Sequence, residues 1–181
     1  MDSRRRSVAS GVTLIELLVG LALAAVLVAL GLPVYADWIA DYQVLNHAEK
    51  LAGTMNIARS EALKRGRPVD LCKSADLRDC ATGGGWEVGY IMLVDSDRDG
   101  AIDAGERALR VEGPAVAGIT IRGNRPVADY ISYTSLGTAR LLRGGLQMGT
   151  ITVCKSGRRA VDVVLAHSGR ARIQRTATIC P

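Results

Sequence analysis

The hydrophobic pattern of the chain begins with a long apolar segment. Residues 12–32 form a run of 21 residues in which Glu16 is the only charged side chain. A helix of about 20 apolar residues is long enough to cross a bilayer. Arg4, Arg5 and Arg6 precede the run, so we expect the N-terminus to stay in the cytoplasm and the rest of the chain to cross.

The pattern becomes amphipathic after this run. Apolar residues recur at spacings of three and four, which is typical of one face of a helix. They are Val44, Ala48, Leu51, Met55, Ala58 and Ala62. Gly66 and Pro68 form a stop signal. We therefore predict one continuous helix, of which residues 12–35 span the membrane and residues 36–66 pack on a globular head.

From residue 67 to residue 181 the pattern predicts β-structure. Short runs rich in Val and Ile alternate with Gly, Asp, Asn and Ser, as in antiparallel hairpins. The predicted strands are 69–73, 87–94, 107–112, 118–122, 129–135, 149–155, 160–166 and 171–178. The fold class is therefore α+β, with a long N-terminal helix packed on an antiparallel β-sheet head.

The strands from residue 118 onward are expected to form a simple meander. Successive turns would then alternate between the two ends of the sheet. The turns near 123–128 and 156–159 would share one end, and those near 136–147 and 167–170 would share the other.

Four cysteines lie beyond the apolar segment. They form no CxxC pair, and two histidines are too few to complete a zinc site with them. In an oxidising compartment, disulfides are the natural interpretation, and three pairings are open. We favour the pairing Cys72–Cys80 and Cys154–Cys180, because each of these disulfides would close a short local loop.

Charge is distributed unevenly along the chain. Residues 120–181 contain ten Lys or Arg and two Asp, which makes this third about +8, whereas the whole chain is +5. Such a surface attracts a polyanionic partner, or it serves only as a solvated basic face.

Glu16 is the least expected residue of the apolar segment. A carboxylate inside a membrane costs a few kcal/mol, so it requires a partner and a function. An ordinary signal peptide cleaved after Val34-Tyr35-Ala36 does not explain it, and its apolar core would be unusually long. A twin-arginine signal also fits poorly, because no bulky apolar pair follows Arg4 and Arg5.

The motif Gly11-Val12-Thr13-Leu14-Ile15-Glu16 resembles that of the type IV pilin family. The resemblance implies a leader peptide, residues 1–11, that a prepilin peptidase removes after Gly11. It also implies methylation of Val12, where most members have Phe, and pairing of Glu16 with the new amine during filament assembly. Pro33 matches a proline of the family and is expected to kink the helix.

The order of a long helix, a β-rich head with Trp86, and a C-terminal SGRAR segment is similar to minor pilins and pseudopilins of the FimT and GspH kind. This implies a single-pass protein of the bacterial inner membrane with its head in the periplasm. Its partners would be other pilins or pseudopilins. No catalytic motif such as GxSxG or HExxH occurs, so we expect no enzymatic activity and no required cofactor.

The segment Gly169-Arg170-Ala171-Arg172 is similar to a GRxR motif of FimT-like pilins that bind DNA in natural transformation. The resemblance implies that Arg170 and Arg172 contact phosphates. Further candidates are basic residues of the same third of the chain: Arg140, Arg143, Lys155, Arg158 and Arg159. The alternative is a GspH-like pseudopilin at the tip of a type II secretion filament, with a structural role and no DNA binding.

An acidic segment, residues 95–106, fits the calcium-loop template D-x-D-x-D-G-x5-E. The candidate ligands are Asp95, Asp97, Asp99, the Ala101 carbonyl, Asp103 and Glu106. Strands rather than helices are predicted on both sides, so this is not an EF-hand. Calcium is the candidate ion; alternatively, the acidic residues only form turns.

We expect the mature chain to begin at Val12, because the apolar segment is retained and Glu16 requires a cationic partner. Intact-mass spectrometry of protein from a bacterium with a prepilin peptidase should give the mass of residues 12–181, with or without one methyl group. An N-terminus at Asp37 would identify a cleaved signal peptide instead.

Overall fold

One α-helix, Leu14–Arg65, opens the computed structural model, which describes residues 13–103, 106 and 108–181. The Thr13 hydroxyl accepts the Glu16 N–H at 3.3 Å, as an N-terminal cap does. The helix ends as predicted, because Gly66 takes φ +62°, a conformation that glycine adopts at little cost.

Several N-terminal predictions are not tested by the fold. Gly11, Val12 and the leader lie outside the described residues. The helix passes position 33 without a break, and a kink at Pro33 stays a prediction.

Two compact units divide the chain, Met1–Ile39 and Ala40–Pro181. In the first, the described apolar side chains between Leu14 and Val34 are exposed. By length and hydropathy this part of the helix is sufficient to cross a membrane. So large an exposed apolar surface indicates contact with lipid or with other proteins. The predicted segment boundaries after residues 11, 35 and 66 stay predictions.

The second unit contains the predicted amphipathic face of the helix. Its six apolar residues are at most 1% exposed. Three of them are alanines, which allow the strands to approach the helix axis closely. This face forms the centre of the hydrophobic core of the unit.

In the described part of the chain, eight strands form two antiparallel four-stranded sheets. The strands are β1 (Val69–Lys73), β2 (Tyr90–Val94), β3 (Ala108–Glu112), β4 (Ile119–Gly123), β5 (Tyr130–Tyr133), β6 (Gly149–Lys155), β7 (Arg159–Leu165) and β8 (Ala171–Ile179). The first sheet has the order β3-β2-β1-β5, and the second has the order β4-β6-β7-β8. All eight predicted strands are present.

The predicted strand 87–94 starts later than expected. A 3-10 turn, Trp86–Val88, precedes β2, and Gly89 between them takes φ +113°. The indole of Trp86 is buried and donates to the Val127 carbonyl at 2.9 Å. This buried contact holds the segment out of the strand.

The expected meander is wrong at β5. This strand leaves the second sheet and pairs with β1, and β4 therefore pairs directly with β6. Ile131 and Tyr133 of β5 are fully buried in the core beside the helix. The burial of these side chains explains why β5 is placed next to β1.

Both predicted disulfides are present. Cys72 of β1 pairs with Cys80 in the following loop, and Cys154 of β6 pairs with Cys180 near the end of the chain. The Cys180 N–H also donates to the Arg158 carbonyl at 2.8 Å. The end of β8 is thus fixed beside the turn between β6 and β7.

Two turns meet where the sheets adjoin. The turn between β7 and β8 contains Gly169 with φ +80°, and the turn after β5 contains Gly137. A Cβ atom on Gly169 would lie 2.1 Å from the Gly137 carbonyl oxygen. Only glycine therefore fits at position 169.

We expect Gly169→Ala to lower the free energy of unfolding by more than Gly157→Ala does. Gly157 has a similar φ, +73°, but open space around it, so alanine there costs only about 1–2 kcal/mol. At position 169 the clash adds to that cost. Denaturant titration of both variants measures the difference, and equal losses would contradict the contact.

Candidate functional site

The predicted arginine pair flanks the turn between β7 and β8. Gly169 donates its N–H to the Ala166 carbonyl at 2.9 Å, and Ala166 donates to the Arg170 carbonyl at 3.0 Å. Ala171 is buried, whereas Arg170 and Arg172 on either side of it are exposed. Since alternate residues of a strand share a face, both guanidinium groups are directed away from the core.

The turn after β4 lies at the same end of the second sheet as the arginine pair. Ile119 pairs with Lys155, and Gly123 pairs with Ile151, so the end of β4 adjoins the start of β6. The expectation that turn 123–128 shares an end with turn 156–159 is therefore wrong. The reason is the departure of β5, because removing one strand from a meander reverses the direction of all later ones.

This end of the sheet, defined by Arg125, Arg170 and Arg172, is called the basic end below. All three side chains are exposed, and among the described residues none of them has an ion pair. Arg122 is also close, but its guanidinium contacts the Glu87 carboxylate at 2.8 Å. Three strand spacings separate β4 from β8, about 14 Å in total.

The turn after β5 also borders the basic end, as expected. The Arg59 side chain of the helix donates to the Gly137 carbonyl at 2.9 Å, so a further cation lies beside Gly169. Sequence reasoning missed Arg59, because nothing in its spacing indicates that the helix ends near this turn. Arg140 is exposed, and its backbone N–H donates to the Ser132 carbonyl at 3.0 Å, which places it beside β5.

Arg143 lies elsewhere. It lines a cavity of about 500 Å³ together with Arg98, Asp99 and Tyr130. The acidic loop is thus its neighbour, and the structure does not group Arg143 with the arginine pair. The hairpin that carries Arg143 folds over the outer face of the first sheet, which residue spacing alone does not indicate.

The remaining predicted cations lie at the opposite end of the second sheet. Lys155 donates to the Gln43 side chain at 2.7 Å, and Arg158 is 3.9 Å from the Asp41 carboxylate. Arg159 begins β7 and is exposed. The length of β7 separates this group from the basic end by about 20 Å. Two of its three cations are already engaged with the helix.

The acidic segment forms the loop between β2 and β3, with strands on both sides as expected. Carboxylate oxygens of Asp95, Asp97 and Asp99 approach within 4.8 Å of one another. Asp95 is fully buried and accepts the N–H groups of Arg98 and Gly100 at 2.6 and 2.9 Å. The loop is therefore folded around its first carboxylate.

The later candidate ligands lie around the same three carboxylates. Asp99, Asp97 and Glu106 all raise the pKa of the exposed Asp103 carboxyl through charge repulsion. Glu106 accepts the N–H groups of Ser96 at 2.9 Å and Asp103 at 3.3 Å, so it closes the loop. The Ala101 N–H donates to Asp99 at 2.7 Å. These carboxylates repel one another in the absence of a counter-charge.

Asp70 is a buried acid that sequence reasoning did not select. It lies on the outer face of β1, beneath the acidic loop, and is 1% exposed. Neither of its carboxylate oxygens accepts a well-formed hydrogen bond. Burial raises the pKa of Asp70 to about 8; the Ser132 hydroxyl and Arg98 oppose this rise, and Asp95 adds to it.

A signal for Asp70 was present in the sequence. Asp70 interrupts the apolar run of a strand that the stop signal at Gly66 and Pro68 places next to the helix. A central strand is covered on both faces, and a charge within it requires an explanation. The position of β1 between β2 and β5 became known only from the fold.

The GspH family model, described as type II transport protein GspH, matches residues 47–169 of the chain. The match includes the last third of the helix, both sheets as far as β7, and Gly169. A search of curated proteins finds no match.

Solved structures share the fold. The type IV minor pilin FimU of Pseudomonas aeruginosa aligns with a TM-score of 0.55 and 22% identity, covering 75% of this chain and 89% of that one. The minor pseudopilin EpsH from the type 2 secretion system of Vibrio cholerae aligns with a TM-score of 0.50 and 12% identity, covering 75% and 99%. Identities this low establish a common fold only.

We expect Asp70→Asn to stabilise the ion-free protein at alkaline pH. In the folded state Asp70 has a pKa of about 8, against 3.8 when exposed, so wild-type stability falls as the pH rises from about 4 to 8. Asparagine cannot ionise and avoids this loss, which should exceed the roughly 1.4 kcal/mol of one pKa unit.

Thermal melting in chelator across this pH range measures the effect. The exposed Asp79→Asn controls for the loss of one negative charge. A difference between wild type and Asp70→Asn that does not grow with pH would contradict the burial of an ionisable Asp70.

Proposed function

The chain belongs to the GspH family of type II transport proteins, and we propose that it is a membrane-anchored minor pilin of a type IV pilus that binds DNA. Binding would be non-specific, through the basic end of the head, and would serve DNA uptake in natural transformation. The proposal includes the bacterial inner membrane as the site of anchoring and other pilins as partners. It includes no catalytic role.

The exposed apolar helix supports the anchoring part of the proposal. Its described side chains from Leu14 to Val34 have no protein cover, so lipid before assembly and neighbouring subunits after assembly are the natural contacts. Glu16 is the single charge in that stretch. Its proposed partner is the amine that a prepilin peptidase would create at Val12.

The observation that carries DNA binding is the basic end itself. Arg125 and the pair of Arg170 and Arg172 come from separate parts of the chain and lie at the same end of a sheet. Their guanidinium groups are exposed and, within the described part of the chain, have no acidic partner. A spacing of about 14 Å between β4 and β8 allows contact with more than one phosphate.

The chemistry of the basic end favours phosphate contact over base recognition. Its arginines lie on a strand, beside a turn and in a 3-10 helix of three residues, Arg125–Val127, which is too short to act as a recognition helix. Aromatic residues are 4% of the chain and supply few stacking surfaces. Phosphate contacts position a protein on DNA without reading its sequence.

A second candidate function is a minor pseudopilin of a type II secretion filament, without DNA binding. The description of the family model favours it. Both functions use the same anchor and fold, so the fold does not discriminate between them. The unpaired arginines of the basic end do discriminate between the two functions, since a purely structural subunit has no need of them.

We expect Arg170→Ala and Arg172→Ala each to weaken DNA binding equally for unrelated sequences. Each lost phosphate contact should reduce the slope of log K against log salt by about 0.9. Fluorescence anisotropy of the full-length chain in neutral detergent, with labelled duplexes between roughly 50 and 200 mM salt, measures both quantities.

Arg159→Ala is the matched control, since it removes an exposed arginine from the opposite end of the same sheet. The affinity of Arg159→Ala for DNA should stay near that of the wild type. Loss confined to Arg159→Ala would move the DNA site to the other end. A folded wild-type protein with no DNA binding at low salt would leave the pseudopilin as the better candidate.

A further inference from the structure

We propose that the acidic loop and Asp70 of β1 together form a calcium site. The loop supplies Asp95, Asp97 and Asp99, and Asp70 supplies a carboxylate that is distant in sequence. The site lies on the outer face of the first sheet and does not depend on DNA binding.

The loop is arranged for a cation before any ion is present. Backbone N–H groups hold Asp95 and Asp99 in place, and three carboxylates converge within 4.8 Å. Five acidic residues lie between positions 95 and 106, against one arginine, Arg98. Mutual repulsion in such a cluster is relieved by a cation bound among them.

Asp70 points to a ligand independently of the loop. It is almost completely buried, and neither of its oxygens accepts a well-formed hydrogen bond, although the Ser132 hydroxyl is close enough to lower its pKa. Buried polar groups in proteins are normally satisfied. It lines a cavity of about 240 Å³ with Asp99 and Gly100. An unsatisfied carboxylate that shares a cavity with an acidic loop is explained by an ion held between them.

The nearby arginine does not remove the need for an ion. Arg98 directs one terminal nitrogen to the Leu141 carbonyl at 3.0 Å, and its buried Nε has no acceptor. The guanidinium therefore reduces the repulsion at Asp70 without bonding to it. Asp129, which lines the same cavity, is engaged by Lys73.

Calcium fits this donor set better than magnesium does. Calcium accepts six to eight oxygen ligands in irregular geometry, including carboxylates, backbone carbonyls and water. In the set here Asp97 and Asp99 are exposed and leave room for water. Magnesium demands near-ideal octahedral geometry and gives up its waters reluctantly.

Bound calcium would add a link between the acidic loop and β1 through Asp70. The loop is already joined to the hairpin by the Arg98 hydrogen bond to the Leu141 carbonyl. Since only the folded protein offers all these ligands, calcium should stabilise the fold by mass action.

The test is thermal melting and calorimetric titration of the full-length chain in neutral detergent, stripped with chelator and then given calcium chloride. We expect millimolar calcium to raise the melting midpoint by about 3 °C or more. Asp97→Asn and Asp99→Asn should lose this rise, and the exposed Asp79→Asn should keep it.

Asp70→Asn provides the decisive comparison. It should melt at higher temperature than the wild type in chelator, yet bind calcium at least about tenfold more weakly. A merely structural acid would not change calcium affinity. Unchanged affinity in Asp70→Asn, an equal midpoint rise with magnesium chloride, or no midpoint rise in the wild type would each overturn the proposal.

Discussion

One face of the helix is the surface on which the head depends. Its buried residues, mostly alanine with Leu51 and Met55, contact the inner faces of both sheets. Alanine leaves little side-chain volume between helix and strands, so the fit is set by the larger residues of the strands. Because the two sheets share this face, each strand is placed by the apolar side chains that it can bury there. The strands compete for this one apolar face, and the order of the strands in the two sheets follows from that competition.

The position of β5 shows how this constraint determines the surface. Ile131 and Tyr133 are buried beside the helix when β5 pairs with β1. The transfer of this one strand brings β4 next to β6. As a consequence Arg125 lies at the same sheet end as Arg170 and Arg172, and Lys155 lies at the other. A packing requirement in the core thus determines which cations form one surface.

The outer face of the first sheet is covered by loops rather than by helix or strand. The Cys72–Cys80 disulfide, the acidic loop and the hairpin at Leu141 enclose side chains of β1, including Asp70. A charged group enclosed in this way is costly unless it is neutralised. The carboxylates of the acidic loop and of Asp70 therefore both require a neutralising positive charge, although they are 25 residues or more apart in the chain.

Local features were determined by the sequence alone. The helix and its end at Gly66, its buried face, the approximate strands and both short-loop disulfides follow from periodicity, turn residues and cysteine spacing. Strand partners, the grouping of Arg125 with Arg170, and the burial of Asp70 were decided by the tertiary structure. Strand pairing depends on competition for one hydrophobic core, and that competition involves residues far apart in the chain. The spacing of residues within a segment carries no information about it.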